Sequence, residues 1–264
     1  ITFIYCLKNY MNFSKLFLIS LSLSTIILLI DSYIQLLFGY NIIGYKYDNN
    51  WNRLSSFFKE DYILGSYLSR IIPLVLGLLF LSKVKNKLNY IIISLFLILT
   101  FIIILFSGDR SGLLYFIIFL VFFIFFFNLK ISYKLLFFLT FFSLFLLIIF
   151  NNNSIYKRMV EYTQSQIFNN SSFYFFSVQH QLIYNTSFKI IKDNYIFGIG
   201  PKNFRVICKD YQSFDKLDVT EDGCSTHPHN TYIQLLVETG IIGFLFIFII
   251  FLLIIFYLFY KIYL

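Results

Sequence analysis

The sequence predicts an all-α protein: a polytopic transmembrane helical bundle with a large, partly helical loop on the outer side between the last two spans. Three observations predict it. Hydrophobic residues make up 59% of the chain and charged residues only 13%, with a mean hydropathy of +0.77, which is more apolar than a soluble core requires. Several uninterrupted apolar runs approach the ~20 residues that a helix needs to cross a bilayer. These runs are apolar on every face, whereas the strands of a membrane barrel alternate.

Six spans are expected, at roughly 16–38, 63–82, 88–106, 113–128, 135–150 and 240–260. If both ends lie in the cytoplasm, the inner segments carry Lys8, Lys15, Lys83, Lys85, Lys87, Lys130, Lys134 and Lys261 and no acid, as the positive-inside rule requires. These lysines account for the formal net charge of +8, so the high pI calls for no nucleic-acid partner. The chain then divides into five helices over 1–150, with an outer loop at 39–62, a large outer loop at 151–239, and a last helix with a cytoplasmic end at 240–264. It begins at Ile1 with no cleavable signal and is read as lacking N-terminal helices of a longer protein.

The large loop has as many bases as acids and is no general anion-binding surface. Within it, Ser172 is placed to cap a helix running to about Lys192, with Phe173, Phe176, Ile183, Ile190 and Ile191 at helical spacing. Gly198-Ile199-Gly200-Pro201 then turns the chain. Cys208 and Cys224 share this loop; in an oxidising compartment they close a disulfide, and otherwise they are two buried thiols.

The candidate chemistry lies where polar residues interrupt apolar sequence. His227-Pro228-His229-Asn230 precedes the last span. An imidazole there titrates near neutrality and can take a proton from a sugar hydroxyl, which makes His229 the candidate base and His227 and Asn230 substrate-binding groups. The alternative is a structural pair of histidines. Two histidines across a proline, with no cysteine pair at zinc spacing, supply too few ligands for a metal, so none is expected. Ser107-Gly108-Asp109-Arg110-Ser111-Gly112 forms a polar turn between two apolar runs. Arg110 is either an anion clamp, since a guanidinium presents paired donors to phosphate oxygens, or the ion-pair partner of Asp109. Arg70, inside the second span, also needs a partner or a polar cavity.

The spacing His229-Asn230, nine residues, Gly240, two residues, Gly243, together with the SGDRSG turn and Gly198-Ile199-Gly200-Pro201-Lys202-Asn203-Phe204, resembles the O-antigen ligase and O-antigen polymerase superfamily. The resemblance runs from Arg53-Leu54-Ser55 to Gly243. It implies a multi-pass glycosyltransferase of the bacterial inner membrane, its site facing the periplasm. Such an enzyme moves a glycan from undecaprenyl pyrophosphate to an acceptor sugar hydroxyl, on lipid A core or another glycan, with no cofactor. It further implies that His229 is the base or acceptor-orienting group and that Arg110 and Arg53 hold pyrophosphate. Where many relatives carry an arginine on the loop's helix this chain has His180, so Arg158 or Arg205 supplies any third cation. A membrane transporter or channel for an anionic substrate is the alternative reading.

Overall fold

The computed structural model describes residues 12–47, 53–81, 87–126, 130–169, 172–173, 177–212 and 223–263. Lys8, Lys83, Lys85 and Phe176 lie outside them. The protein is all-α. Helices α1 (Phe13–Phe38), α2 (Leu64–Leu81), α3 (Lys87–Phe106), α4 (Arg110–Phe126) and α5 (Ile131–Asn151) are followed by the short α6 (Asn153–Tyr156), a π-helical turn at Lys157–Glu161 and α7 (Tyr162–Ile167). Beyond them come a two-residue antiparallel pair, α8 (Val178–Asp193), α9 (Phe204–Ile207), a 3-10 turn at Cys208–Tyr211, and α10 (Thr231–Tyr263).

Phe13–Phe38, Ile131–Asn151 and Thr231–Tyr257 are long and apolar enough to cross a membrane, and Leu64–Leu79, Ile91–Phe106 and Arg110–Phe125 are shorter apolar helices. Large side chains such as Phe125, Phe150, Phe246 and Phe256 stand exposed on them. That arrangement is stable only where the surrounding medium is lipid.

The described chain forms two compact units, 1–161 and 162–264. In the first, Leu64, Leu68, Ile72 and Leu76 recur every fourth residue along one face of α2 and are fully buried. They join Leu97, Phe101 and Ile104 of α3, Phe116 of α4 and Phe141 of α5 in one core. Phe101 stacks on Phe116 at 5.9 Å and meets Phe141 edge-on at 5.2 Å, offset geometries that aromatic rings prefer.

One feature of α1 has no counterpart in the expectation of a plain apolar span. Asp31 and Gln35, one turn apart, are wholly buried. Asp31 accepts hydrogen bonds from the Asn41 side chain (3.2 Å), the Ile42 amide (2.9 Å) and the Ser56 hydroxyl. Gln35 accepts from the amides of Ser55 (3.2 Å) and Ser56 (2.7 Å). Buried polar groups must find partners, and here they find them in the loop after α1, at Asn41 and Ile42 before Arg53 and at Ser55 and Ser56 after it.

In the second unit the core is Ile183, Tyr184, Ile190, Ile191, Phe204, Cys208 and Val237. Two boundaries differ from the sequence expectation. The loop helix begins at Val178, with Ser177 at its N-cap position, because Ser172 and Phe173 pair with Asn169 and Phe168 as antiparallel strand residues and cannot hold helical dihedrals at the same time. The last helix begins at Thr231 and is broken at Gly240, where φ is 63° and ψ −171°.

That break is closed by an exchange of backbone partners. In a regular helix the amides of Ile241 and Ile242 would donate to the carbonyls of Val237 and Glu238, four residues earlier. Here Ile241 donates to Tyr195 O at 2.8 Å and Ile242 to Ile196 O at 3.5 Å. The released carbonyls of Val237 and Glu238 accept from the amides of Ile199 and Gly200, each at 2.9 Å. The loop fits because neither backbone carries a side chain at the crossing: a Cβ on Gly240 would lie 2.2 Å from Ile196 O, and one on Gly198 2.5 Å from the Gly240 nitrogen.

Candidate functional site

In the first unit the sequence-predicted cations gather around the turn between α3 and α4. Gly108 is buried in that turn with φ of 64°, and a Cβ there would lie 3.2 Å from Arg53 Cγ and 3.4 Å from Arg158 Cγ. Successive carbonyls of the turn each hold one guanidinium. Arg53 Nε donates to Ser107 O at 2.9 Å, and Arg158 Nε donates to Gly108 O at 3.4 Å. Arg53 also donates from Nη2 to Tyr62 O at 3.0 Å and lies 4.4 Å over the Tyr62 ring. Two of its five N–H donors are thus engaged by backbone. Arg158 is carried by the π-helical turn, reached after Asn152 caps α6 by accepting from Ile155 N at 3.0 Å.

Arg110 opens α4 beside them. The charges act on one another: burial, then the charge of Arg158 and, more weakly, that of Arg110 push the Arg53 guanidinium down to about 10. Like charges held together in partial burial are unfavourable until an anion joins them. The Asp109 carboxylate offsets part of this repulsion on Arg53 and Arg110.

Asp109 has a task beyond the charge it sets beside Arg110. Its Oδ2 accepts from the Ser66 amide at 2.8 Å and from the Ser66 hydroxyl, and its Oδ1 accepts from the Ser111 hydroxyl at 2.7 Å and the Gly112 amide at 3.0 Å. Burial alone would raise its titration, but these hydrogen bonds outweigh it and hold the carboxyl below its ordinary value. Asp109 therefore caps α4 and ties that helix to the start of α2. The tie requires close approach. A Cβ on Gly112 would lie 2.4 Å from the Gly65 carbonyl carbon, so the two helix starts touch backbone to backbone.

In the second unit, Asn230 starts α10. Its Oδ1 accepts from the amides of Tyr232 (3.0 Å) and Ile233 (3.2 Å), which leaves its NH2 group for other contacts. His229, exposed and with φ of 54°, precedes it. Its ring centroid lies 4.2 Å from that of His227 and 5.6 Å from that of His180 on α8. Partial desolvation, followed by the neighbouring charges of His227 and His180, holds the His229 imidazole below its ordinary value, so at neutral pH it is unprotonated and able to accept a proton. His227 Nδ1 lies 2.9 Å from the Thr226 hydroxyl. Among the described residues no group of three His, Cys, Asp or Glu is arranged to hold a metal ion.

Cys208 and Cys224 are joined in a disulfide, with Cα atoms 5.3 Å apart. Cys208 is fully buried in the core of this unit, which anchors the segment leading to His227. Arg205 is exposed on α9, in the second unit. Arg70 is exposed on α2 with its guanidinium 5.7 Å over the Tyr115 ring, an aromatic partner in place of an acid.

Sequence reasoning passed over Tyr62, Ser66 and Gly65, which hold Arg53 and Asp109, and gave His180 no place beside His229. The Asp31–Gln35 pair, one turn apart in an apolar run, was a legible signal. The His180 contact had none, since it joins residues far apart in the chain.

No curated protein and no solved structure matches the chain. The family model described as O-antigen ligase matches residues 95–248, a stretch that takes in the Ser107–Gly112 turn, Arg158, the disulfide, the histidine cluster and the Gly240 break. That is more than half of the sequence, and the chain belongs to the O-antigen ligase family.

Proposed function

We propose that this protein transfers a glycan from undecaprenyl pyrophosphate to an acceptor sugar hydroxyl, on lipid A core or another lipid-linked glycan, at the periplasmic face of the bacterial inner membrane. The observation that carries this reading is the cluster of Arg53, Arg110 and Arg158 about the Gly108 turn. Pyrophosphate is already a good leaving group, so the reaction mainly needs fixed cations where its charge develops and a base for the acceptor. The arginines fill the first role and His229 the second, with His227 and the Asn230 amide as acceptor contacts. The hydroxyl oxygen attacks the anomeric carbon, its proton passes to His229, and the electron pair of the broken C–O bond leaves on pyrophosphate. A single displacement inverts the anomeric centre. The cytoplasmic lysines inferred from the sequence are consistent with this orientation.

The test is transfer from a purified polyprenyl-pyrophosphate glycan by full-length protein at matched levels. Arg110→Lys keeps the charge but loses the planar fork, and a drop of about 10²-fold or more is expected. His229→Ala is expected to abolish transfer. Near-normal rates in both variants would overturn the reading. A lipopolysaccharide gel of a deletion strain then assigns the acceptor: loss of all long chains on the core indicates ligation, and retention of single units indicates polymerisation.

A further inference from the structure

All three histidines of the chain meet in the second unit, although His180 comes from α8 and the other two from the segment ahead of α10. The His180 and His229 rings stand at 65° with centroids 5.6 Å apart, and His227 lies on the same ring at 4.2 Å. The charged groups that act on His229 are His227, from its own segment, and His180, from α8. Three imidazoles this close repel one another when protonated.

Two details set His180 apart. Its Nδ1 lies 2.6 Å from the Ser177 hydroxyl. Ser177 occupies the N-cap position of α8 yet makes no capping hydrogen bond to that helix. An N-cap serine ordinarily accepts from the second or third amide of its helix and stabilises it by doing so. Here the hydroxyl is turned to an imidazole instead. The residue that this imidazole meets, His229, holds a left-handed backbone, a conformation that persists only where its surroundings enforce it.

We propose that His180 is a positioning residue for His229: the Ser177 hydroxyl fixes the tautomer and plane of His180, and His180 fixes the orientation of the His229 ring. This rests on the reading of His229 as the base of glycan transfer. In that reaction the acceptor hydroxyl proton moves to the free nitrogen of His229 as the new C–O bond forms and the bond to pyrophosphate breaks. The neighbouring imidazoles disfavour the resulting cation, so the proton passes on to water and the base is ready again. In the resting protein partial desolvation, and after it the same two neighbours, keep His229 neutral.

With three histidines in the chain, full-length protein labelled at histidine gives three imidazole signals. Each is followed against pH by NMR, beside the pH profile of transfer from a polyprenyl-pyrophosphate glycan. His180→Phe keeps an aromatic ring against His229 but carries no proton. It is expected to move the His229 titration and the acid limb of the rate upward together, and to lower kcat roughly tenfold or more, with KM for the acceptor changed less than about twofold. His180→Gln, which retains a hydrogen-bonding group toward Ser177, is expected to recover part of the rate. Ser177→Ala is expected to shift the titration in the same direction by less. A merely structural role predicts lower stability with the His229 titration and acid limb unmoved, and that result overturns the proposal. If His180→Phe does not fold, an unmoved His229 titration in both His180→Gln and Ser177→Ala overturns it equally. A moved titration beside unchanged transfer in His229→Ala overturns the base reading and with it the catalytic purpose of the pair. An unmoved titration with transfer lost in His229→Ala overturns the present inference alone.

Discussion

Each unit holds polar side chains at the end of an apolar helix, and each relies on a pair of glycines, but the two pairs work in opposite ways. Gly65 and Gly112 leave α2 and α4 regular and let their starts touch. Gly198 and Gly240 let α10 break and a loop fill the gap. In the first case the absence of a side chain brings two intact helices within reach of one carboxylate, Asp109. In the second it allows four backbone groups of a broken helix to be satisfied by a crossing loop. A glycine in an apolar helix can therefore serve contact or rupture, and the neighbouring backbone decides which.

The largest expected effect is at the rupture. At Gly240 an added methyl collides with Ile196 O and must also adopt dihedrals that are essentially restricted to glycine. Gly240→Ala is expected to cost about 3 kcal/mol or more and to open the second unit to limited proteolysis. Wild-type resistance in this variant would mean that the exchanged hydrogen bonds are dispensable.

At the contact pair, Gly112→Ala adds a methyl 2.4 Å from the Gly65 carbonyl carbon while its backbone stays helical. The cost is expected to be about 1–3 kcal/mol, the range for overpacking. Thermal unfolding in detergent, compared directly with Gly240→Ala, ranks the two devices.

Asp109→Asn probes the tie that the contact permits. The amide can present its oxygen to the Gly112 amide or to the Ser66 amide but not to both. One donor is left unpaired, and a loss of about 1–2 kcal/mol is expected. The matching kinetic measurement is kcat at a temperature where the variant is folded. It should fall far less than in Arg110→Lys, because Asp109 positions the turn while the arginines are the groups proposed to hold the pyrophosphate.

The pH response separates the units. The folded value of His229 lies below its ordinary value of 6.5, so the unfolded state binds its proton first. Stability of the second unit is complete above that ordinary value and declines as pH falls from there through the folded one. Calorimetry between pH 7 and pH 5 should show this decline, and His229→Gln should flatten it. The smallest effect is a gain: Gly77 lies inside α2 with open space around its Cβ position, so Gly77→Ala should stabilise by up to ~1 kcal/mol.

Much of the helical architecture was legible in the sequence because lipid imposes a one-dimensional rule. A span must be long, apolar and internally hydrogen-bonded, and the runs near 16–38 and 135–150 meet that rule within a few residues of the observed helices. The Ser107–Gly112 turn and the His227–Asn230 segment stood out for the same reason, as polar interruptions. The helix expected from Ser172 to about Lys192 ends where expected but starts at Val178, because a two-residue strand pair claims the backbone at Ser172 and Phe173, and periodicity in a polar loop is a weaker signal than a continuous apolar run.

By itself the sequence determined the helical class, the apolar spans and the residue types available for chemistry, since composition and spacing along one chain are enough for those. Only the tertiary structure decided that Arg53, Arg110 and Arg158 share one turn, that Asp109 ties helices together, that His180 meets His229, and that the last helix breaks at Gly240. Each of these is a contact between distant parts of the chain, fixed by which backbones can approach and which buried groups still need partners.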